Sequence, residues 1–252
     1  VELVELYLRR IERLNPTLNA YLTVCADEAL TSAKAAEQAV RQGGDLGPLH
    51  GVPIAVKDLE LTKGVRTTAG SLVFVDKVPD YDSIVVERVR RSGAVIIGKT
   101  NTPELGLFPR TENRLGPPCV NPWDTARTVG GSSGGSAVAL AAGLCSIAVG
   151  SDGGGSIRMP CSFTGTCGFK PTHGRIPRYG GYGKPAPNQF AQSGPMANTV
   201  RDTAVLLQVL SDFDARDPGS LRAPVPDLVS GLDGGIKGLR IGWSADLGYA
   251  AI

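Results

Sequence analysis

Two serine-bearing glycine turns lie close together in this chain, GGSSGGS at 130–136 and SDGGGS at 151–156. Glycine loses more backbone freedom on folding than any other residue, so this density indicates conformations or close approaches that other residues cannot adopt. The apolar stretch between the turns predicts a small-residue helix at 136–143 and a buried strand at 146–150. Hydroxyl groups on two rigidly connected turns predict an active site that uses serine chemistry.

A serine nucleophile needs a base, and the chain offers two kinds. The pattern GxSxG fits both Ser132 and Ser133, but the preceding NPWDTARTV is a poor buried strand, and His173 is the one histidine that follows. Lys57 ends the apolar run VPIAVKD, which is typical of a strand buried on both faces. Because desolvation lowers the pKa of an ammonium group, Lys57 could act as a general base for a serine. We favour the lysine, and a Ser-His-Asp hydrolase stays open as the alternative.

Ser156 directly follows three consecutive glycines, at 153–155. The N–H groups of a bare glycine turn can converge on one point, which is how a backbone oxyanion hole is built. A plain turn would carry the entropic cost of three glycines without a structural reason. Asp152 and Arg158 flank this turn with opposite charges, and we expect them to lock it as a hydrogen-bonded pair.

Helices and strands alternate along the chain. Apolar spacing predicts further helices at 2–14, 27–41, 82–92 and 201–213, and strands at 52–58, 94–98 and 238–243. Asn15-Pro16 should stop the first helix, and Pro103 should begin another. The alternation predicts an α/β fold with a mixed central β-sheet sandwiched between α-helices. Because the last predicted strand lies near residue 252, we expect one domain over 1–252 that is the incomplete, N-terminal part of a longer protein.

The composition excludes several other classes of function. Apolar residues make up 42% of the chain, charged residues 20%, and the formal net charge is +2 without a basic run, so we expect neither nucleic acid nor a membrane as partner. GAVIIGKT at 93–100 fits a phosphate-loop pattern, but its variable residues are themselves the strand, so nucleotide binding is rejected. The five cysteines and two histidines show no metal-ligand spacing. We expect the cysteines to be small buried hydrophobes and the protein to be cytoplasmic.

Six co-linear segments resemble the amidase signature family. They are HGVPIAVKD, GAVIIGKTNTPEL, GGSSGGSA, GSDGGGSIRMP, GFKPTHGRIPR and SGPMANTVRDTA, and they extend over most of the chain in the family's order. The resemblance implies an amide hydrolase that needs no metal and no cofactor. It also implies a protein considerably longer than this chain, whose second half supplies further strands and much of the substrate pocket.

The resemblance further implies roles for individual residues. The family's Ser-cis-Ser-Lys triad corresponds to Lys57 as a neutral base, Ser132 as a bridge after a cis Gly131–Ser132 peptide, and Ser156 as the nucleophile. Oxyanion-hole and supporting positions correspond to the Ser156 N–H and to Gly153, Gly154, Gly155, Ser133, Asp152 and Arg158. Most relatives carry threonine or a similar residue at Gly153, so we expect a slightly looser turn here.

Three functions are compatible with these motifs. The first is a stand-alone amidase that releases an amine or ammonia and a carboxylic acid from a small-molecule amide, and that could also cleave an ester or a carbamate (urethane). The second is the glutaminase-like A subunit of a tRNA-dependent amidotransferase, which works with partner subunits; that branch usually carries Ser-Leu-Asp before Gly-Pro, and NQFAQSGPM here favours the first. The third is a non-catalytic binding relative, which the intact Lys57, Ser132 and Ser156 oppose. The apolar first helix could also serve as an interface of a homo-oligomer.

Overall fold

The helices of this protein follow the predicted positions closely. A computed structural model describes residues 1–44, 46–181 and 190–250, so the first two residues of NQFAQSGPM, at 188–189, lie outside the described part. The α-helices are α1 Glu2–Leu18, α2 Ala26–Arg41, α3 Ile84–Arg91, α4 Gly134–Ala141, α5 Arg158–Thr164 and α6 Val200–Leu210. Short 3-10 helices span Leu72–Phe74, Glu104–Gly106 and Ser230–Gly234.

Within the residues that the structure describes, eight strands form a six-stranded central sheet and a small hairpin. They are β1 Tyr21–Val24, β2 Pro53–Lys57, β3 Val95–Thr100, β4 Val120–Asn121, β5 Asp124–Thr128, β6 Ile147–Asp152, β7 Cys167–Gly168 and β8 Gln192–Ala197. The sheet order is β1-β3-β2-β6-β8-β7, and β4 pairs with β5 in the hairpin. β2 runs parallel to β3 and β6, whereas β1 and β8 run antiparallel to their neighbours. The mixed α/β sheet predicted from the sequence is confirmed.

Helices cover both faces of this sheet. One apolar core joins α1, α2, α4 and α5 to Ala55 of β2, and the other joins α3 and α6 to Ile54 and Val56 of the same strand. Successive side chains of a strand point to opposite faces, so Lys57 lies on the side of α4 and Asp58 on the side of α3. The polar residues at the end of β2 are therefore divided between two environments.

The carboxyl ends of the parallel strands meet at one edge of the sheet. β2 ends at Lys57 and β6 ends at Asp152, and the second glycine turn follows β6 immediately. The first glycine turn leads into α4, which packs against β6. In α/β sheets this edge is where ligands bind, so the chain connectivity brings both serine turns and Lys57 to it.

Three expected elements differ from the structure. α1 continues through Pro16 because Leu18 is buried and Asn19, in the left-handed conformation, caps the last turn with its N–H on the Asn15 carbonyl. The element predicted at Pro103 is a single 3-10 turn. The segment 238–243 forms no strand and its apolar side chains are exposed, because no described strand lies beside it to pair with its backbone.

The cysteines agree with the expectation from composition that they are buried. Cys25, Cys119, Cys145 and Cys161 are buried, Cys167 is partly buried, and all five are free thiols. Burial raises the pKa of the Cys25 thiol to about 11. None of the described helices is both long enough and apolar enough to cross a membrane.

Gly135 provides a direct test of the close packing around α4. A Cβ atom at this position would overlap the backbone N of Asn101 and lie within 2.7 Å of the Asn101 carbonyl oxygen. We expect Gly135→Ala to lower the free energy of unfolding by about 3 kcal/mol, because rigid backbone must move to admit the methyl group. Urea denaturation should be compared with that of Gly234→Ala, where a Cβ meets no atom within 4 Å. Equal stability of the two variants would contradict this packing.

Candidate active site

The amine of Lys57 lies among three serine hydroxyls. Its side chain is fully buried, and Nζ lies 2.8 Å from Ser132 Oγ, 2.8 Å from Ser133 Oγ and 3.0 Å from Ser151 Oγ. Ser132 and Ser133 immediately precede α4, and Ser151 is near the end of β6. The structure thus brings together three residues singled out from the sequence and adds Ser151.

The hydrogen bonds of Ser133 determine how Lys57 can use its protons. Ser133 Oγ donates to the Ser151 carbonyl at 3.0 Å and accepts from the Ser151 N–H at 3.1 Å, so towards Lys57 it can only accept. A neutral amine has two N–H donors and one lone pair. If the donors point to Ser133 and Ser151, the lone pair is left for the hydroxyl hydrogen of Ser132. This geometry allows neutral Lys57 to take a proton from Ser132.

Burial makes the neutral form of Lys57 accessible near pH 7. Desolvation, assisted by the positive charge of Arg178, lowers the pKa of Lys57 from 10.5 to about 7. The negative charges of Glu60 and Asp152 act in the opposite direction. The pKa of this lysine is therefore in the range that suits a general base at physiological pH.

The side chain of Asp152 organises the turn that precedes Ser156. Its Oδ1 accepts from the Gly155 N–H at 2.7 Å, and its Oδ2 accepts from the N–H groups of Ile157 and Arg158 at 3.1 and 3.2 Å. The Arg158 guanidinium adds one hydrogen bond of 2.9 Å to each oxygen. Although burial alone would raise it, these donors hold the pKa of Asp152 well below its usual range. The ion pair expected from the sequence is present.

The Gly155 N–H has a different partner from the one expected. Sequence reasoning placed it in the oxyanion hole, but it is taken up by the Asp152 carboxylate, which needs it to close the turn. Gly155 has a φ of +112°, a region that favours glycine. The expected oxyanion donors are thereby reduced to the N–H groups of Gly153, Gly154 and Ser156.

Ser156 is tied to the first glycine turn through its backbone. The Ser133 N–H donates to the Ser156 carbonyl at 3.0 Å, and the Gly131–Ser132 peptide is cis, as the resemblance implied. Within the described residues, no hydrogen bond joins the hydroxyls of Ser132 and Ser156. Hydrogen bonds between catalytic groups often shorten only when substrate binds, so this geometry leaves Ser156 eligible as a nucleophile.

Sequence reasoning missed Ser151 and the proximity of Gly106. Ser151 could have been found from its place at the carboxyl end of β6, the same sheet edge as Lys57. Gly106 has a φ of +72°, and a Cβ there would lie 3.3 Å from Ser132 Oγ. No local pattern signals this approach, because it depends on how the loop after β3 returns to the site.

Neither histidine supports the Ser-His-Asp alternative. His173 Nδ1 lies 2.7 Å from Gln192 Nε2, and His50 Nε2 lies 2.9 Å from the Ala36 carbonyl. In the part of the chain that the structure describes, no three His, Cys, Asp or Glu side chains are grouped so as to hold a metal ion. Of the two bases considered from the sequence, Lys57 is therefore the one that contacts the serine hydroxyls.

The chain belongs to the amidase family, that of the amidase signature enzymes, whose sequence model matches residues 2–252. It is 47% identical over 241 residues to the A subunit of glutamyl-tRNA(Gln) amidotransferase from Anaeromyxobacter dehalogenans (strain 2CP-C), covering 96% of this chain and 49% of the relative. Among solved structures it resembles a bacterial aryl acylamidase, with a TM-score of 0.89, 37% identity, and coverage of 98% of this chain and 51% of that one. It also resembles the A subunit of the Thermotoga maritima glutamyl-tRNA(Gln) amidotransferase, with a TM-score of 0.82, 36% identity, and coverage of 94% and 49%. The chain spans about half the length of the curated relatives it matches.

These relatives conflict with the expectation that no nucleic acid is involved. Two of them belong to an amidotransferase named for glutamyl-tRNA(Gln). The expectation rested on a formal net charge of +2, which reports only the long-range attraction of this chain to phosphate groups. The net charge of one chain carries no information about nucleic-acid binding by other subunits of a complex.

Proposed function

We propose that this chain carries the catalytic residues of an amide hydrolase that works through an acyl-enzyme on Ser156. The observation that supports the proposal best is the fully buried Lys57 amine, 2.8 Å from the hydroxyl of Ser132 and with a pKa lowered to about 7 by burial. A buried, neutral amine beside a serine is an activated base rather than a solvated charge. The same chemistry underlies both functions considered below.

In the proposed acylation step, two protons move in the same direction. Ser156 Oγ attacks the amide carbonyl carbon and passes its proton to Ser132, while Ser132 passes its own proton to Lys57. The carbonyl π electrons move onto oxygen, which gives a tetrahedral oxyanion. The N–H groups of Gly153, Gly154 and Ser156 are the proposed donors to that oxyanion, and the Asp152–Arg158 pair keeps their turn in shape.

Breakdown of the tetrahedral intermediate returns one proton to the leaving group. Protonated Lys57 gives its proton back through Ser132 to the departing nitrogen as the C–N bond breaks, so an amine or ammonia leaves. Water then attacks the ester carbonyl of the acyl-enzyme and passes its proton through Ser132 to Lys57. The proton returns to Ser156 as the ester bond breaks, which releases the carboxylic acid and restores the free serine. An ester or a carbamate carries the same electrophilic carbon, so these small molecules are proposed as further substrates.

A second candidate is the A subunit of a glutamyl-tRNA(Gln) amidotransferase. Identities of 46–48% to proteins of that name favour it, whereas the segment NQFAQSGPM favours a stand-alone amidase. If the second candidate is right, the partners of this chain include a tRNA and other protein subunits, and not only the small-molecule substrate expected from the sequence. Co-purification with such partners, together with glutaminase activity that depends on them, would decide for the amidotransferase.

The proposed chemistry can be tested before the substrate is known. A fluorophosphonate should label Ser156 of the full-length protein covalently, and the labelling rate should fall as the pH drops below about 7, because protonated Lys57 cannot accept the relayed proton. The readouts are the labelled peptide by mass spectrometry and the rate constant from pH 5 to 9.

Lys57→Met is the matched variant for this experiment. It should reduce labelling at least about 100-fold at pH 8, the scale of a lost general base, and flatten the pH profile. A wild-type rate that stays constant through the acidic range, or labelling of another residue, would refute the proposed relay. Failure to label the folded full-length protein would favour the non-catalytic relative.

A further inference from the structure

Glu60 is a buried carboxylate beside the lysine that the proposed mechanism does not use. It follows β2 in a tight turn, in which the Glu60 N–H donates to the Lys57 carbonyl at 3.0 Å. Its side chain is only 9% exposed. Oε2 accepts from Ser83 Oγ at 2.8 Å and Oε1 accepts from Ser193 Oγ at 2.5 Å. Two hydroxyls from distant parts of the chain therefore fix this carboxylate.

Two neighbouring serines connect the surroundings of the Glu60 carboxylate with those of the Lys57 amine. Ser151 of β6 and Ser193 of β8 are direct cross-strand partners, so their side chains share one face of the sheet. Ser151 Oγ contacts Lys57 Nζ, and Ser193 Oγ contacts Glu60. Two neighbouring serines thus separate the amine from the carboxylate.

The other charged groups near Lys57 either form their own ion pairs or are positive, in contrast to the negative Glu60 carboxylate. Asp152 is engaged by Arg158 and the glycine turn, and Arg178 brings a positive charge towards the amine. Asp58 pairs with Lys99 at 3.6 Å, and the Lys99 amine also donates to the backbone carbonyl of Glu60 at 2.6 Å. Within the described residues, no Lys or Arg forms an ion pair with the Glu60 carboxylate.

We propose that Glu60 is a positioning residue for the acylation step, whose negative charge keeps Lys57 basic enough to accept the proton from Ser132. The inference rests on the proposed function, because it assigns Glu60 a role only through Lys57.

Opposing effects on the amine give this role its physical basis. Burial lowers the pKa of Lys57 to about 7, and Glu60 opposes that fall more than Asp152 does. Without the Glu60 carboxylate, burial would lower the pKa of Lys57 further, and the amine would become a weaker base. A weaker base draws the proton from Ser132 less effectively, so acylation slows even when Lys57 is neutral.

The test is the pH dependence of fluorophosphonate labelling in the full-length protein. Glu60→Gln keeps the shape of the side chain and removes its charge. We expect the acidic limb of the labelling rate to shift about one pH unit lower, with a plateau about three- to tenfold slower. Glu87→Gln removes a carboxylate of α3 that pairs with Arg216 at the surface, so its limb should stay at the wild-type pH.

A second variant covers the case in which Glu60→Gln does not fold. Glu60→Met combined with Ser193→Ala removes the carboxylate and one donor together, and Ser83 keeps its role as the α3 cap through the Val86 N–H. The same downward shift is expected. If a folded variant keeps the acidic limb of its labelling rate at the wild-type pH, or shifts it to higher pH, the proposed role of Glu60 is wrong. Wild-type protein that labels at Ser156 with a limb near pH 7 would at the same time leave the proposed function intact, so the two failures are distinguishable.

Discussion

Ser156→Ala is expected to lower kcat/KM for a hydrolysed amide by about 10⁴-fold or more. The hydroxyl forms the bond to the acyl carbon, and no other described group replaces it at the glycine turn. A panel of amide, ester and carbamate substrates, assayed with the full-length wild type and the variant, provides the measurement. The same panel identifies the preferred bond, which the catalytic residues alone leave open.

If the serines act together in a proton relay, the effects of their substitutions on activity should not add up. Ser132→Ala should also reduce activity strongly, and Ser132→Ala combined with Ser156→Ala should cost little beyond the more severe single variant. Ser230→Ala, at an exposed 3-10 helix far along the chain, is the control and should keep wild-type activity. Full activity of Ser156→Ala would remove this residue as the nucleophile.

The two buried lysines are expected to affect stability in opposite ways. Lys57 has a pKa of about 7 when folded and 10.5 ordinarily, so between these pH values the unfolded chain binds a proton that the folded state lacks. This penalty is complete below pH 7 and disappears as the pH approaches 10.5. We expect Lys57→Met to raise the free energy of unfolding by about 2 kcal/mol at pH 6 to 7, after allowing for lost hydrogen bonds, and to lose that advantage by pH 10.

Lys99 serves as the matched comparison because it is equally buried but paired. Its Nζ donates to the Glu60 carbonyl and to Thr67 Oγ1, and it lies 3.6 Å from Asp58. Burial lowers the pKa of Lys99 and raises that of Asp58, so each depends on the other for its charge. Lys99→Met should destabilise the protein by about 3 kcal/mol, because Asp58 is left buried without the cation that it pairs with. Urea denaturation at pH 6, 8 and 10 measures both variants, and equal effects of the two substitutions would contradict these assignments.

Local sequence was sufficient to predict the elements whose burial is uniform or strictly periodic. The apolar run before Lys57 and the small residues of α4 predicted their strand and helix because few other structures bury such segments. The segment 238–243 has an equally apolar pattern, yet it forms no strand here. A strand depends on a partner for its backbone, and local pattern contains no information about that partner.

The candidate site divides in the same way. Residue types and spacing by themselves predicted a serine-based chemistry with lysine as the base, because two serine turns and a lysine at the end of a buried strand are visible in the sequence. Only the tertiary structure decided which groups share protons. In it the Ser133 hydroxyl donates to the Ser151 carbonyl, the Gly155 N–H donates to Asp152, and Glu60 accepts from Ser193, the cross-strand neighbour of Ser151. The physical reason is that hydrogen bonds and desolvation depend on distances between elements far apart in sequence, which strand pairing across β2, β6 and β8 sets.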